Sequence, residues 1–216
     1  MENAAKKPFL TQEQVMELLD KCYQGAISGI PGSKPCGDLA EEYLNRYPDR
    51  KTAAQKLIDV QVAKCATSGF VTGLGGIFSL PVAIPANVAS VLYVQMRMIA
   101  ALAVMGGYDL QDDEVQTLVY LSLVKSSVAD VCKSAGVRVA NKVTLNMLKK
   151  LPGTVLTKIN QKVGFRLITK FGEKGVINLV KLVPVAGGIV GGGVDLVGTR
   201  LIANRAYRIF LENNLG

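Results

Sequence analysis

Histidine does not occur in this chain of 216 residues. With it go the imidazole base of a catalytic triad and the commonest protein ligand for transition metals. No catalytic residue, no cofactor and no metal site is therefore expected, and a non-enzymatic role is favoured. Tryptophan is missing too, which removes the usual interfacial anchor of membrane helices, although seven tyrosines are present to substitute. The four cysteines, Cys22, Cys36, Cys65 and Cys132, show no C-x-x-C spacing. A disulfide framework is not expected, and a reducing compartment is favoured. The opening MENAAKKPFLTQEQ carries no hydrophobic run behind its lysines, so no secretory signal is expected. Charge is also scarce, at 19% of residues against 49% hydrophobic.

What the chain has in quantity is apolar helix. From Cys65 to Tyr108 the only formal charge is Arg97. Glycines at 69, 73, 75 and 76 precede a Leu80-Pro81…Pro85 corner, and an Ala/Val/Leu/Met-rich segment follows from Ala86 to Met105. A stretch this apolar is covered on every side by other helices or sits in lipid. A spanning helix needs about 20 apolar residues. Ala86–Met105 has that length, but Arg97 falls near its midpoint, where translocon scales charge roughly 2.5–3.5 kcal/mol. A hairpin buried in a helical bundle is the preferred reading, with Val91, Val94, Met98 and Leu102 deep in the core.

No run alternates at period two, so the fold is expected to be all-α. One domain accommodates the length: N-terminal helices in 1–50, the apolar hairpin and its following helix in 52–136, a basic region in 137–181, and a glycine-rich C-terminal helix in 182–216. Thr11-Gln-Glu-Gln14 is a capping-box signature ahead of Val15, Leu18, Leu19, Cys22, Tyr23 and Ala26. Asp38 is expected to cap a short helix ending before Pro48. Gly106-Gly107 should stop the central helix. Asp112-Asp-Glu114 should start another, running to Gly136, with its acids set against the N-terminal dipole. A further helix is expected to Leu151, then one over 154–171.

The net charge of +8 is unevenly placed. Residues 133–181 hold eleven Lys/Arg and one acid, Glu173, whereas the first 132 residues hold eleven basic and fourteen acidic side chains. Lys158, Lys162, Arg166 and Lys170 recur every fourth residue, with Val155, Ile159, Val163 and Leu167 on an adjoining face. The bland reading is a solvated face. The functional one is an anionic membrane surface, near which each basic side chain contributes about 1 kcal/mol. Nucleic acid is set aside, because only Phe165 interleaves with the stripe and no binding motif is present.

Arg97 needs a partner if it is buried. Asp195 is the candidate, as the only charge between Lys181 and Arg200, and Gln95 and Arg200 could join them. Such a group is a structural ion pair, or a polar site that receives an amphiphile headgroup. Gly69/Gly73 and Gly188/Gly192 form G-x-x-x-G pairs and are read as close helix-packing stripes. A phosphate loop is rejected, since no Gly-Lys-Ser/Thr follows either run.

The segment SGFVTGLGGIFSLPVAIPANVASVLYVQMRMIAALAVMGGYDL resembles the core of the EcsC protein family. The likeness lies in the glycine-rich helix from Gly69 to Gly76, the Leu80–Pro85 corner, the Gln95–Ala100 step and the Gly107–Asp109 exit. The tail, in Pro184–Arg200 and Ala206–Phe210, is similar as well. The resemblance covers 55–135 and 180–212, and Asn87 departs from it where members often place Asp. It implies a bacterial-type helical protein, in a family named for a member encoded beside an ABC transporter, and it carries over no catalytic residues.

The expected function is thus a non-enzymatic, cytoplasmic protein peripheral to the inner face of the cell membrane, accessory to membrane transport or protein export. Its expected partners are an anionic membrane surface and a transporter component, with no nucleic acid. An amphiphile or lipid carrier is the alternative, and a pore-type bundle that releases its hairpin into bilayers is the remoter one.

Overall fold

The structure, a computed structural model, describes residues 11–66, 86–124, 126–139, 143–171, 190–213 and 215, with side chains at all of these except 66, 86–88, 168–171 and 190–196. Every regular element among them is helical: α1 (Gln12–Ser28), α2 (Cys36–Arg46), α3 (Arg50–Ala66), α4 (Ala86–Met105), α5 (Asp113–Ser122), α6 (Val128–Ser134), α7 (Leu145–Leu148), α8 (Gly153–Phe171) and α9 (Val190–Leu211). The fold is all-α, as the missing period-two pattern requires.

α4 is the axis. It packs against α1, α2, α3, α5 and α9, which explains how a helix with one charge in 20 residues stays out of water. Val94, Met98 and Leu102 are buried as expected, and Val91 is only half-buried. Met96, Ile99 and Leu102 have no exposed surface. Each such side chain contributes about 1.5–3 kcal/mol of transfer free energy. α8 is held at the side of the bundle by α1, α5 and α6. Among the described residues no helix is long and apolar enough to cross a membrane.

The helix ends follow local chemistry. Thr11 accepts from the Gln14 backbone N–H, and the Gln14 side chain accepts from Thr11 in return, at 3.2 and 2.9 Å, completing the capping box. Asp49 starts α3 by accepting from the Thr52 N–H (2.9 Å) and hydroxyl (2.6 Å). α4 ends in a Schellman turn: Tyr108 N–H reaches Ala103 O and Gly107 N–H reaches Val104 O, with Gly107 at φ 82°.

Three expectations need correction. α2 begins at Cys36 after Pro35, so Asp38 lies inside the first turn and Asp38 is not the cap. Carboxylates are favourable anywhere in that turn, which is why Asp38 looked like a boundary. The long helix expected from Asp112-Asp-Glu114 to Gly136 is two helices. α5 stops at Ser122 and α6 restarts at Val128, where the Ser127 hydroxyl accepts from Asp130 N–H at 3.0 Å. Arg205 of α9 donates to the carbonyls of Val124 and Ser126, taking acceptors that a continuous helix would have used itself. The helix expected to end at Leu151 is the four residues of α7, confined between its Thr144 cap and the extended bias of the residue before Pro152.

The end of α4 meets α9 backbone to backbone. A Cβ on Gly106 would lie 2.3 Å from the Phe210 carbonyl oxygen, and the Tyr108 ring stands edge-on to Phe210 at 5.1 Å. Gly106→Ala should therefore destabilise by at least the 1–3 kcal/mol typical of overpacking. Gly153→Ala, at the exposed start of α8 with nothing within 4 Å, should be neutral or stabilising by up to about 1 kcal/mol. Urea melts of the two variants check this, and equal midpoints would contradict the close contact.

Candidate functional site

The residues expected to form one buried polar site fall in two places. Tyr93 and Arg97, one turn apart on α4, face the loop between α1 and α2. Arg97 is 5% exposed, and its Nε donates to the Lys34 carbonyl at 2.8 Å. Tyr93 donates to the Ser33 hydroxyl at 3.0 Å. Burial lowers the Arg97 pKa, opposed by Tyr93, Cys36, Glu42 and Tyr43 nearby. Arg97 thus fastens the 29–35 loop to the core.

Gln95 lies 200° round the helix, since two residues at 100° each separate it from Arg97. Its amide donates to the buried Thr199 hydroxyl of α9 at 2.9 Å. Arg200 was expected in the same interior group, and this is corrected: Arg200 is exposed and pairs with Asp59 of α3 at 2.7 Å. Helical geometry explains it, because Thr199 faces the core and its neighbour is turned about 100° outward. The Asp195 side chain lies outside the described residues, as do Gly69, Gly73 and Gly188 and any side-chain account of Gly192.

The basic stripe behaves as its spacing demands. Ile159, Val163 and Leu167 are buried at 0–2% exposure, while Lys158 and Lys162, about 100° round α8 from them, project to solvent. Arg166 is half-buried and reaches the Asp130 carbonyl and Ser134 hydroxyl of α6, both at 3.5 Å. The Lys170 side chain lies outside the described residues. Phe165 is 52% exposed within this basic face.

Sequence reasoning did not bring α1 to this face. Gln12 donates through Nε2 to the Gln161 carbonyl at 3.4 Å, and Met16 fills the notch left by Gly164, where a Cβ would sit 2.9 Å from its sulfur. The signal was present in Gly164, a helix-interior glycine that costs about 1 kcal/mol against Ala unless a neighbour approaches closely. Beside these residues lies a cavity of about 280 Å³ lined by Gln12, Ser134, Lys158, Gln161, Lys162 and Phe165, along with Ala135. A more open basic depression adjoins it around Lys133 and Arg138.

Elsewhere polar groups serve the frame. Tyr120 donates to Asp20 at 2.6 Å and accepts from Gln116 at 3.0 Å, while Tyr23 donates to the Leu110 carbonyl at 2.8 Å. Burial raises both phenols well above their ordinary range. All four cysteines are buried. Burial pushes Cys22 up to about 12 and Cys36 and Cys132 to about 11. Among the described residues no group of three or more Cys, Asp or Glu is placed to hold a metal.

The EcsC protein family matches residues 5–211. The chain belongs to the EcsC protein family. The match takes in the N-terminal helices and the basic region as well as the two segments that carried the resemblance. No curated protein and no solved structure matches the chain.

Two measurements follow from this geometry. Arg97→Met should cost on the order of 1–3 kcal/mol, because it strands the Lys34 carbonyl. Arg200→Met, at an exposed pair, should cost under about 1 kcal/mol. Comparable losses in urea melts would contradict these assignments.

The thiols give a pH dependence. An unfolded cysteine titrates near 8.5, below the raised folded values. The folded chain then holds more protons than the unfolded one above that pH, and stability should fall as pH climbs from about 8.5 towards 11. Ellman's reagent at pH 8 should label Cys22, Cys36 and Cys132 only as fast as the protein opens. Labelling at the rate of an exposed thiol would refute this.

Proposed function

We propose that this EcsC-family protein is a non-enzymatic, peripheral membrane protein on the cytoplasmic side of a bacterial cell membrane. It docks on anionic lipid through the basic face of α8 and acts as an accessory to a transport or export component. The observation that carries this reading is the division of α8. Its aliphatic side chains Leu156, Ile159, Val163 and Leu167 are buried in the core, and Lys158, Lys162 and Phe165 remain exposed together.

Cations beside an exposed aromatic suit a headgroup boundary, where the charges meet lipid phosphate and the ring enters the acyl border. The family name, taken from a member encoded beside an ABC transporter, supports the accessory role. The amphiphile carrier keeps one supporting observation. Gln61 is 1% exposed in α3, and neither its amide nitrogen nor its oxygen has a hydrogen-bond partner among the described residues. Such a group costs about 1–3 kcal/mol unless something satisfies it. Native mass spectrometry of the purified protein decides that reading, and a protein that carries no lipid sinks it.

The docking reading is tested by sedimentation with phosphatidylglycerol-containing vesicles at low salt. The parent should pellet with the vesicles and be released as ionic strength rises. Lys158→Glu with Lys162→Glu should abolish pelleting while the melting temperature stays close to the parent's, since exposed substitutions cost little. A parent that ignores these vesicles at low salt overturns the docking role.

A further inference from the structure

We infer that the cavity between α8, the start of α1 and the end of α6 is a binding site for a phosphomonoester group, presented by a lipid headgroup or by a small soluble phosphate. The inference rests on the docking reading and deepens it, from a diffuse charge to a shaped site.

The lining points to this ligand class. Lys158 and Lys162 stand one turn apart on α8 and supply two ammonium groups. Gln12 and Gln161 add amide donors, the Ser134 hydroxyl being given to the Val131 carbonyl at 2.7 Å, and among the described residues no carboxylate lines the cavity. A phosphomonoester carries about −1.5 to −2 at neutral pH, which matches two lysines, whereas a phosphodiester carries a single charge. The volume of about 280 Å³ equals the liquid share of roughly nine waters, enough for a headgroup and too little for a whole lipid. Phe165 forms the apolar lip against which a glycerol or similar carbon skeleton would rest.

The opposing field is weakened. A helix C-terminus repels anions through its free carbonyls, and α6 ends at this cavity. The carbonyls of Val131, Cys132 and Lys133 are occupied, the first by Ala135 N–H at 3.0 Å. Val137 N–H reaches Cys132 O and Gly136 N–H reaches Lys133 O, both at 3.0 Å, with Gly136 at φ 84°. Arg166 reaches the Asp130 carbonyl and brings its own positive charge to the same end. A separate open depression lined by Lys133, Gly136 and Arg138 adds two further cations at the C-terminal turn of α6.

The test compares vesicles and a soluble probe. Vesicles of phosphatidic acid, a monoester, and of phosphatidylglycerol, a diester, are matched in surface charge by electrophoretic mobility, and glycerol 3-phosphate is titrated by NMR. The expected result is binding to phosphatidic acid about tenfold tighter than to phosphatidylglycerol, the size of one charge-assisted hydrogen bond. Gln161→Trp, which fills the cavity without changing charge, should erase the preference while binding to phosphatidylglycerol persists. Lys56→Gln with Lys150→Gln, which removes two charges elsewhere, should leave the preference intact.

Equal binding to both lipids, unaffected by Gln161→Trp, overturns the site and leaves the docking role standing. Glycerol 3-phosphate shifting Lys158, Lys162 and Gln161 resonances, with no vesicle binding, supports the site as one for a free phosphate and overturns docking. Silence in both arms overturns both.

Discussion

One helix without a polar face dictates this architecture. α4 carries Arg97 as its single charge, and its other side chains offer little that water will accept. Amphipathic helices need one neighbour, but a helix apolar all round needs a sleeve. The sleeve is α1, α2, α3, α5 and α9. α1 shows the simplest answer, an apolar stripe of Val15, Leu18, Leu19, Cys22 and Ala26 turned in and a polar face turned out, whereas α3 exposes Val60 and α9 exposes Val197 and Leu201. The amphipathicity of the whole chain is thus set by the one element that lacks it.

The polar groups of α4 are consequently directed at backbone or at other neutral side chains. Arg97 ends on a carbonyl, Tyr93 on a serine, Gln95 on a threonine. A guanidinium tolerates this better than an ammonium, being more weakly hydrated and fixed in geometry. A carbonyl acceptor costs less desolvation than a second buried charge would. The loop at 29–35 gains a fixed position from that arrangement, and α1 and α2 gain their relative placement with it.

Much of this was legible in the sequence, for identifiable reasons. The bounds of α4 follow from the long apolar run and from Gly106-Gly107, and the capping box at Thr11 from its spacing. The two faces of α8 follow from coincident four-residue repeats of lysine and aliphatic residues. What escaped depends on distant partners. The break between α5 and α6 is held by Arg205, some eighty positions downstream, and its one local sign, the Ser127-x-x-Asp130 cap spacing, is easily passed over inside an otherwise continuous apolar pattern. The choice of Lys34 by Arg97 was hidden for a related reason: charge counting looks only for opposite charges, and backbone carbonyls are invisible to it.

The same logic bears on α8. A helix at the side of a bundle needs only one apolar stripe, and α8 has it in Ile159, Val163 and Leu167. Exposing Phe165 as well offsets none of the folding cost, and scattered exposed aromatics are ordinary on a surface. Its position is less ordinary, because it shares with two lysines a concavity whose other walls include two glutamines and a serine. Solubility alone would be served by mixed charges, yet the eleven basic residues of 133–181 face a single acid. Like charges held on one helix face repel one another, at a cost of a few tenths of a kcal/mol per pair. An anion shared between them would remove that repulsion, so the ligand proposed for the cavity would stabilise the stripe as well.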